Sequence, residues 1–288
     1  MLENIKKIKL FASIIFFTCI LVRTIPAFIV YGTEDVNAVQ TAVSLLEQGK
    51  DPYSQNCTFN QSPFWIQIIY EMSRFLKVFK IPYHVLIKVI PIICDAIISM
   101  IIYKISLNLN PDIKKAIKAS LFYALNPVSI IITSVHGNLV SIQVCFLLIS
   151  IYIFYFYKVK FGLLYSSLAM GVAIMSKIWP IFFLVLMIQK IKNFKNKIIY
   201  SVFSLIPILI SLLPLYLKNK TLVIEEFLKY KSIAGWWGVT GISSIWNFGF
   251  LKNISYFYAN NGTLILGCII MILYLFKTIK LIYLKDPP

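Results

Sequence analysis

Charge is scarce in this chain. Only 14% of its 288 residues are Asp, Glu, Lys or Arg, against about a quarter in soluble domains. Acids are scarcer still, 11 against 28 Lys and Arg, and histidine occurs twice. With 59% hydrophobic residues and a mean hydropathy of +0.80, a water-soluble fold is excluded. Cysteine is thin and scattered: Cys19, Cys57, Cys94, Cys145 and Cys268 stand singly, four of them inside apolar runs. No CxxC or Cys/His spacing points to zinc or a redox pair, and no disulfide framework is suggested. The net charge of +17 would indicate nucleic acid in a soluble protein. Here it records topology and anionic lipid, and no nucleic-acid partner is expected.

What is abundant is apolar sequence in repeated stretches near the ~20 residues that cross a bilayer as a helix. Expected spans fall at 8–30, 82–107, 119–134, 140–157, two short helices meeting at Lys177 within 161–188, 198–217 and 263–284. The first could pass for a signal peptide, but it contains Arg23 and Pro26 and lacks a small-x-small cleavage site. It is read as a retained helix. Residues 63–80, apolar but interrupted by Glu71, Arg74, Lys77 and Lys80, suit an amphipathic helix at the interface. The expected fold is therefore all-α: a polytopic bundle of about eight membrane helices plus an external interfacial helix, in a single transmembrane domain over 1–288.

Eight crossings put the lysine clusters at 6–9, 114–118, 158–160, 190–197 and 277–285 on one face, which the positive-inside rule makes cytoplasmic. The external loops 31–80 and 218–261, the turn at His136 and the break at Lys177 then share the opposite face. A seven-span count would move the 218–261 loop inside.

Four of the scarce acids, Glu34, Asp35, Glu47 and Asp51, lie between residues 31 and 62. Glu34 and Asp35 open a helical pattern of Val36, Val39, Val43 and Leu46 that ends at Gly49, so they complement the helix dipole whatever else they do. A carboxylate held at a membrane surface can also take a proton from an incoming hydroxyl, and Asp35 is nearer the apolar face. Lys177, in mid-run before Trp179-Pro180, either snorkels or marks an anion site beside a helix start. His136 and Asn138 lie in a turn, Trp236 and Trp237 form part of an aromatic belt or a sugar platform, and Asp95 is expected to pair with Lys88 or Lys104. No cofactor is certain. A divalent cation would find two adjacent carboxylates at Glu34-Asp35 and no further oxygen ligands, a poor site by itself, so no metal ligands are assigned.

Taken in order, 34–53, Asn126-Pro127 through His136-Gly137-Asn138, Lys177-Ile178-Trp179-Pro180 and Gly235-Trp236-Trp237-Gly238 resemble the motifs of GT-C glycosyltransferases. The likeness is closest to those that use polyprenyl- or dolichyl-phosphate sugars. The resemblance implies an inverting hexosyl transfer, mannose favoured over glucose, from a lipid-linked sugar donor to an acceptor hydroxyl at the external or luminal face. Asp35 and Glu34 would then be the catalytic acids, with Lys177, His136, Asn138, Trp236, Trp237 and Tyr53 binding substrate. It also implies a multi-pass protein of a prokaryotic plasma membrane or of the endoplasmic reticulum. Two departures stand out: no acid follows His136-Gly137, where Leu139, Val140 and Ser141 stand, and the chain is short for such an enzyme. Two alternatives remain open. One is a transporter or flippase of a lipid-linked or anionic solute; the other is an inactive homologue acting as an accessory subunit beside a partner.

Overall fold

The computed structural model describes residues 2–53, 60–157 and 159–228, with parts of 253–273. Trp236 and Trp237 lie outside the described residues. Those described form helices and turns without a strand, as the composition predicts. In chain order they are α1 (Leu2–Ile29), α2 (Glu34–Glu47), α3 (Pro63–Leu76), α4 (Tyr83–Leu109), α5 (Ile113–Ala124), α6 (Pro127–Ile130) with a π-helical turn (Ile131–His136), α7 (Val140–Phe156), α8 (Gly162–Ser176), α9 (Ile181–Lys190) and α10 (Phe194–Lys218).

Among the described residues, α1 (from Lys7), α4 and α10 are long and apolar enough to cross a membrane. The pair α5 and Pro127–His136, bent by 42°, makes a fourth candidate. Three to four candidate spans are thus shown among the described residues, and the expected count of about eight is not confirmed by them. Helix α9 has 10 residues and extends about 15 Å at 1.5 Å per residue, half the ~30 Å hydrocarbon core. The lysine break therefore separates two pieces, neither of which has the length of a full span. The α3 helix is amphipathic, as its interrupted apolar pattern predicts. Trp65, Ile66 and Ile69 face the bundle, while Gln67, Glu71 and Arg74 are exposed and bonded to one another.

Helix α4 is the central post, and most of one side of it is buried. At its middle Asp95 meets Arg23 of α1, Nε to Oδ2 at 2.6 Å, with both side chains fully buried. The expected partners lie elsewhere: Lys88 donates to the Val30 carbonyl at 2.6 Å, and the Lys104 ammonium lies 5.9 Å from the Tyr152 ring centre. Tyr123 and Thr133 donate to the two Asp95 carboxylate oxygens, and Thr133 is bonded in turn to Ser141. Arg23 also donates to the Ala124 carbonyl at 2.6 Å and the Ser129 hydroxyl at 2.7 Å. The first of these is a consequence of proline. Pro127 has no N–H, and the Val128 and Ser129 N–H groups turn to the Asn126 side chain, so the carbonyl at the end of α5 needs another donor. In lipid such a group cannot turn to water.

A second bundle, α7, α8 and α10, packs on this post through small and hydroxyl residues. Ser150, Ser166 and Tyr200 share hydrogen bonds across three helices. Gly171 lets α8 approach α10 so closely that a β-carbon there would lie 2.7 Å from the Ser204 carbonyl. The Trp65 indole N–H donates to Ser176 at 2.8 Å, which ties α3 to the end of α8.

Removing Asp95 leaves a guanidinium buried without its counter-charge, which costs about 3–5 kcal/mol in such settings. Asp95→Ala is expected to lower the melting temperature of the detergent-purified protein sharply, and Arg23→Met with Asp95→Leu to recover only part of the loss, because the Ala124 carbonyl then lacks its donor. Size-exclusion thermal profiles measure both; an unchanged melt for Asp95→Ala contradicts the assignment.

Candidate functional site

The start of α2 and the turn between α6 and α7 are held face to face. Thr33, the residue before α2, makes no cap bond to its own helix. Its hydroxyl bonds His136 Nδ1 and the His136 carbonyl, which also accepts the Thr33 N–H at 3.3 Å. The π-helical turn stops at Gly137, whose φ of +81° favours glycine. A β-carbon there would lie 2.4 Å from Val36 Cγ2 and 3.4 Å from the stem of Lys88. Asn138 then works in two directions. Its oxygen accepts the Val140 N–H at the start of α7, and its Nδ2 donates to Asp35 Oδ2 at 2.7 Å.

Asp35, His136 and Asn138, picked from separate segments, thus form one cluster, with His136 Nδ1 3.6 Å from Asp35 Oδ2. Asp35 is about half exposed (45%) and His136 largely covered (14%). Glu34 is not part of the cluster: it is exposed and accepts from Asn37 one turn on, at 3.2 Å. Among the described residues no group of three or more His, Cys, Asp or Glu side chains gathers as metal ligands would.

Lys177 sits in the extended link after α8, outside both flanking helices. It borders a cavity of about 90 Å³ that is also lined by Asn60, Ser176, Trp179 and Glu226. Burial pulls its ammonium down to a pKa of about 8, while the negative charges of Asp35 and Glu226 pull it partly back up. The lysine therefore lies within the electrostatic reach of the α2 acid. The expected contribution of the following helix start is smaller. Its first N–H groups, from Ile181 to Leu184, are already donated to the carbonyls of Ile178, Trp179 and Pro180. The cation is left as the main feature for an anion.

Tyr53 is packed into the fold beside α2. It is 5% exposed, its hydroxyl donates to the Gln61 carbonyl at 2.7 Å and its N–H to Asp51 at 2.9 Å. Asp51 in turn binds Lys218 at the end of α10. Burial alone would raise the Asp51 carboxyl, but the Lys218 bond, the Tyr53 N–H and the Lys218 charge together hold it below the usual carboxylate value. Sequence reading missed Thr33, Lys88 and Glu226. Lys88 was visible as an intramembrane cation, but was assigned to Asp95. Nothing in the local sequence of Glu226 sets it apart.

A profile of the family described as GPI transamidase subunit PIG-U matches residues 27–280, a stretch that includes every site residue named above. No curated protein matches the chain. The family match overturns the expected hexosyl transfer and the assignment as a glycosyltransferase enzyme, because the family is a subunit of a complex that exchanges amides. The sugar-transfer role given to Asp35 and Glu34 goes with it, while the geometry around Asp35 stands. The lipid-linked sugar donor has no support from the match; partner subunits and the bilayer do. The chain is a multi-pass membrane protein, of a family resident in the endoplasmic reticulum. Matched over most of its length, the chain belongs to the PIG-U family of GPI transamidase subunits.

Proposed function

We propose that this chain acts as a non-catalytic membrane subunit of a GPI transamidase and holds the headgroup of the glycosylphosphatidylinositol lipid at the face formed by α2, the 136–138 turn and the Lys177 link. The observation that carries the reading is Lys177, bordering a cavity beside Asp35 and Glu226. A bare phosphate would meet the lysine but be repelled by two carboxylates. A ligand whose phosphate is followed by hydroxyl-bearing rings suits the combination better: the ammonium takes the phosphate, and Asp35, Asn138, Asn60 and Ser176 offer acceptors and donors to hydroxyls. Trp179 supplies an apolar wall, and a substrate-binding role for Trp236 and Trp237 is kept as part of the proposal. Asp35 is a binding acid in this reading, since its Oδ2 already accepts from Asn138.

The same reading places this face in the lumen, opposite the lysine-rich turns. It treats 1–288 as one transmembrane domain in which the short helices α7, α8 and α9 complete crossings together with their neighbours. The GT-C-like motif order is retained only as a proposal about architecture, because a shared fold does not fix an activity.

Two measurements test this. The tagged chain, solubilised from endoplasmic reticulum membranes in mild detergent, is expected to bring down the remaining transamidase subunits in stable proportion; a chain recovered alone speaks against the subunit reading. The second concerns pH. A lysine with its pKa lowered to about 8 is charged below that value and loses its proton as pH rises through it. Binding of radiolabelled GPI lipid should therefore fall with a midpoint near pH 8, and Glu226→Gln should move the midpoint lower. Lys177→Arg should hold binding to higher pH and Lys177→Met should lose about tenfold or more in affinity. Binding that is flat across pH 6–10 excludes Lys177 as the contact.

A further inference from the structure

The break between α5 and α6 leaves a groove of about 410 Å³ on the outside of the bundle, lined by Lys118, Leu121, Phe122, Leu125, Asn126 and Pro127. None of these residues belongs to the site above. The bend that makes the groove is fixed from within: Arg23 binds the Ala124 carbonyl and the Asn126 side chain takes the next two free N–H groups. The freed carbonyl is thus met from inside by Arg23 and the freed N–H groups by Asn126 at the groove's rim, while Leu121, Phe122, Leu125 and Pro127 leave the rest of the trough apolar. Phe122 is 78% and Leu125 49% exposed.

The groove has a charged end. Lys118 is one turn before Phe122, and Lys114 and Lys115 lie on the preceding turn. The nearest acid in sequence, Asp112, caps the helix and pairs with Lys115 at 3.8 Å. Lys114 and Lys118 therefore set the local sign. Because α5 runs from these lysines toward the elbow, and Pro127–His136 continues to the His136 turn, the groove opens toward the membrane face opposite the headgroup site. From Lys118 to Asn126 the helix rises about 12 Å, a reach from the headgroup level toward the middle of a ~30 Å hydrocarbon core.

An open notch in a lipid-facing surface forfeits contacts unless something fills it. One ligand chemistry meets both ends of this one: a phosphate for the lysine and a flexible apolar chain for the trough. We infer that the groove binds one anionic phospholipid, with its phosphate on Lys118 and an acyl chain lying over Phe122 and Leu125 to the elbow at Pro127. The bound chain props the same break that Arg23 braces from inside, so occupancy stabilises the fold.

The test uses the full-length chain in detergent, followed by thermal melting. Short-chain phosphatidylserine is expected to raise the melting temperature saturably; short-chain phosphatidylcholine and tail-less glycerophosphoserine are not. Lys118→Gln should weaken the half-saturating concentration about fivefold, as expected for one lysine at an anionic lipid surface. Leu125→Trp, which fills the trough, and Phe122→Ser, which strips its wall, should each abolish the response while leaving the lipid-free melt near that of the wild type. Lys195→Gln, in another basic turn, should leave the response unchanged. An equal response to phosphatidylcholine, or to the tail-less headgroup, overturns the proposal. So does a phosphatidylserine response that survives both Lys118→Gln and Leu125→Trp.

Discussion

The Arg23–Asp95 ion pair is the constraint on which the rest of the structure depends. Two opposite charges with no exposed surface are tolerable only if each remaining lone pair and N–H is met. Here Tyr123, Thr133, Ser129 and the Ala124 carbonyl meet them. The pair joins α1 to α4 and these groups come from α5 and the Pro127–His136 stretch, so satisfying the pair fixes where the four segments sit relative to one another. It also makes a broken helix tolerable inside a membrane, since the carbonyl released at the break has a guanidinium waiting. In a low dielectric the arrangement is all or nothing, which favours one packing of these segments over a set of near alternatives.

The site at the start of α2 follows from that packing. With the Pro127–His136 stretch held against α4, its last turn ends over the start of α2. The left-handed Gly137 there permits an approach to Val36 that a side chain would block. Thr33 and Asp35 then find His136 and Asn138 across the gap, and Lys88 holds the Val30 carbonyl below. The loop between α1 and α2 is therefore positioned from three sides. Lys177 arrives independently, through the packing of α8 on α10 and the Trp65–Ser176 bond. The cavity that Lys177 borders is lined also by Glu226, and the charge of Asp35 acts on the same ammonium, a mixed character that suits the proposed headgroup.

Much of this was legible in the sequence. Apolar run lengths found α1, α4 and α10; interrupted hydrophobicity found α3; Ser-Lys-x-x-Pro found the break after α8. Asp35, His136 and Lys177 stood out because ionisable residues are so few, and Asn138 because it shares the turn with His136. The span count is the less legible part, because apolar helices of 10 to 17 residues lie at or below the ~17–25 residues of a crossing, so run length alone does not decide which of them span. The partner of Asp95 was not legible either: local spacing offered two lysines within a couple of turns, whereas the true partner lies 72 residues away on another helix. Function was misread for a further reason. The motif order suggested a sugar-transfer enzyme, but an acid, a histidine turn and a lysine at one membrane face are equally the parts of a binding site. Only the family match separates the two.

The central claim, that the chain serves amide exchange on GPI as a non-catalytic subunit, is tested most directly in cells from which the resident PIG-U family member has been removed. Expression of this chain should restore a GPI-anchored reporter to the cell surface. Failure to restore the reporter, with the chain present in the membrane and assembled with the other subunits, would contradict it.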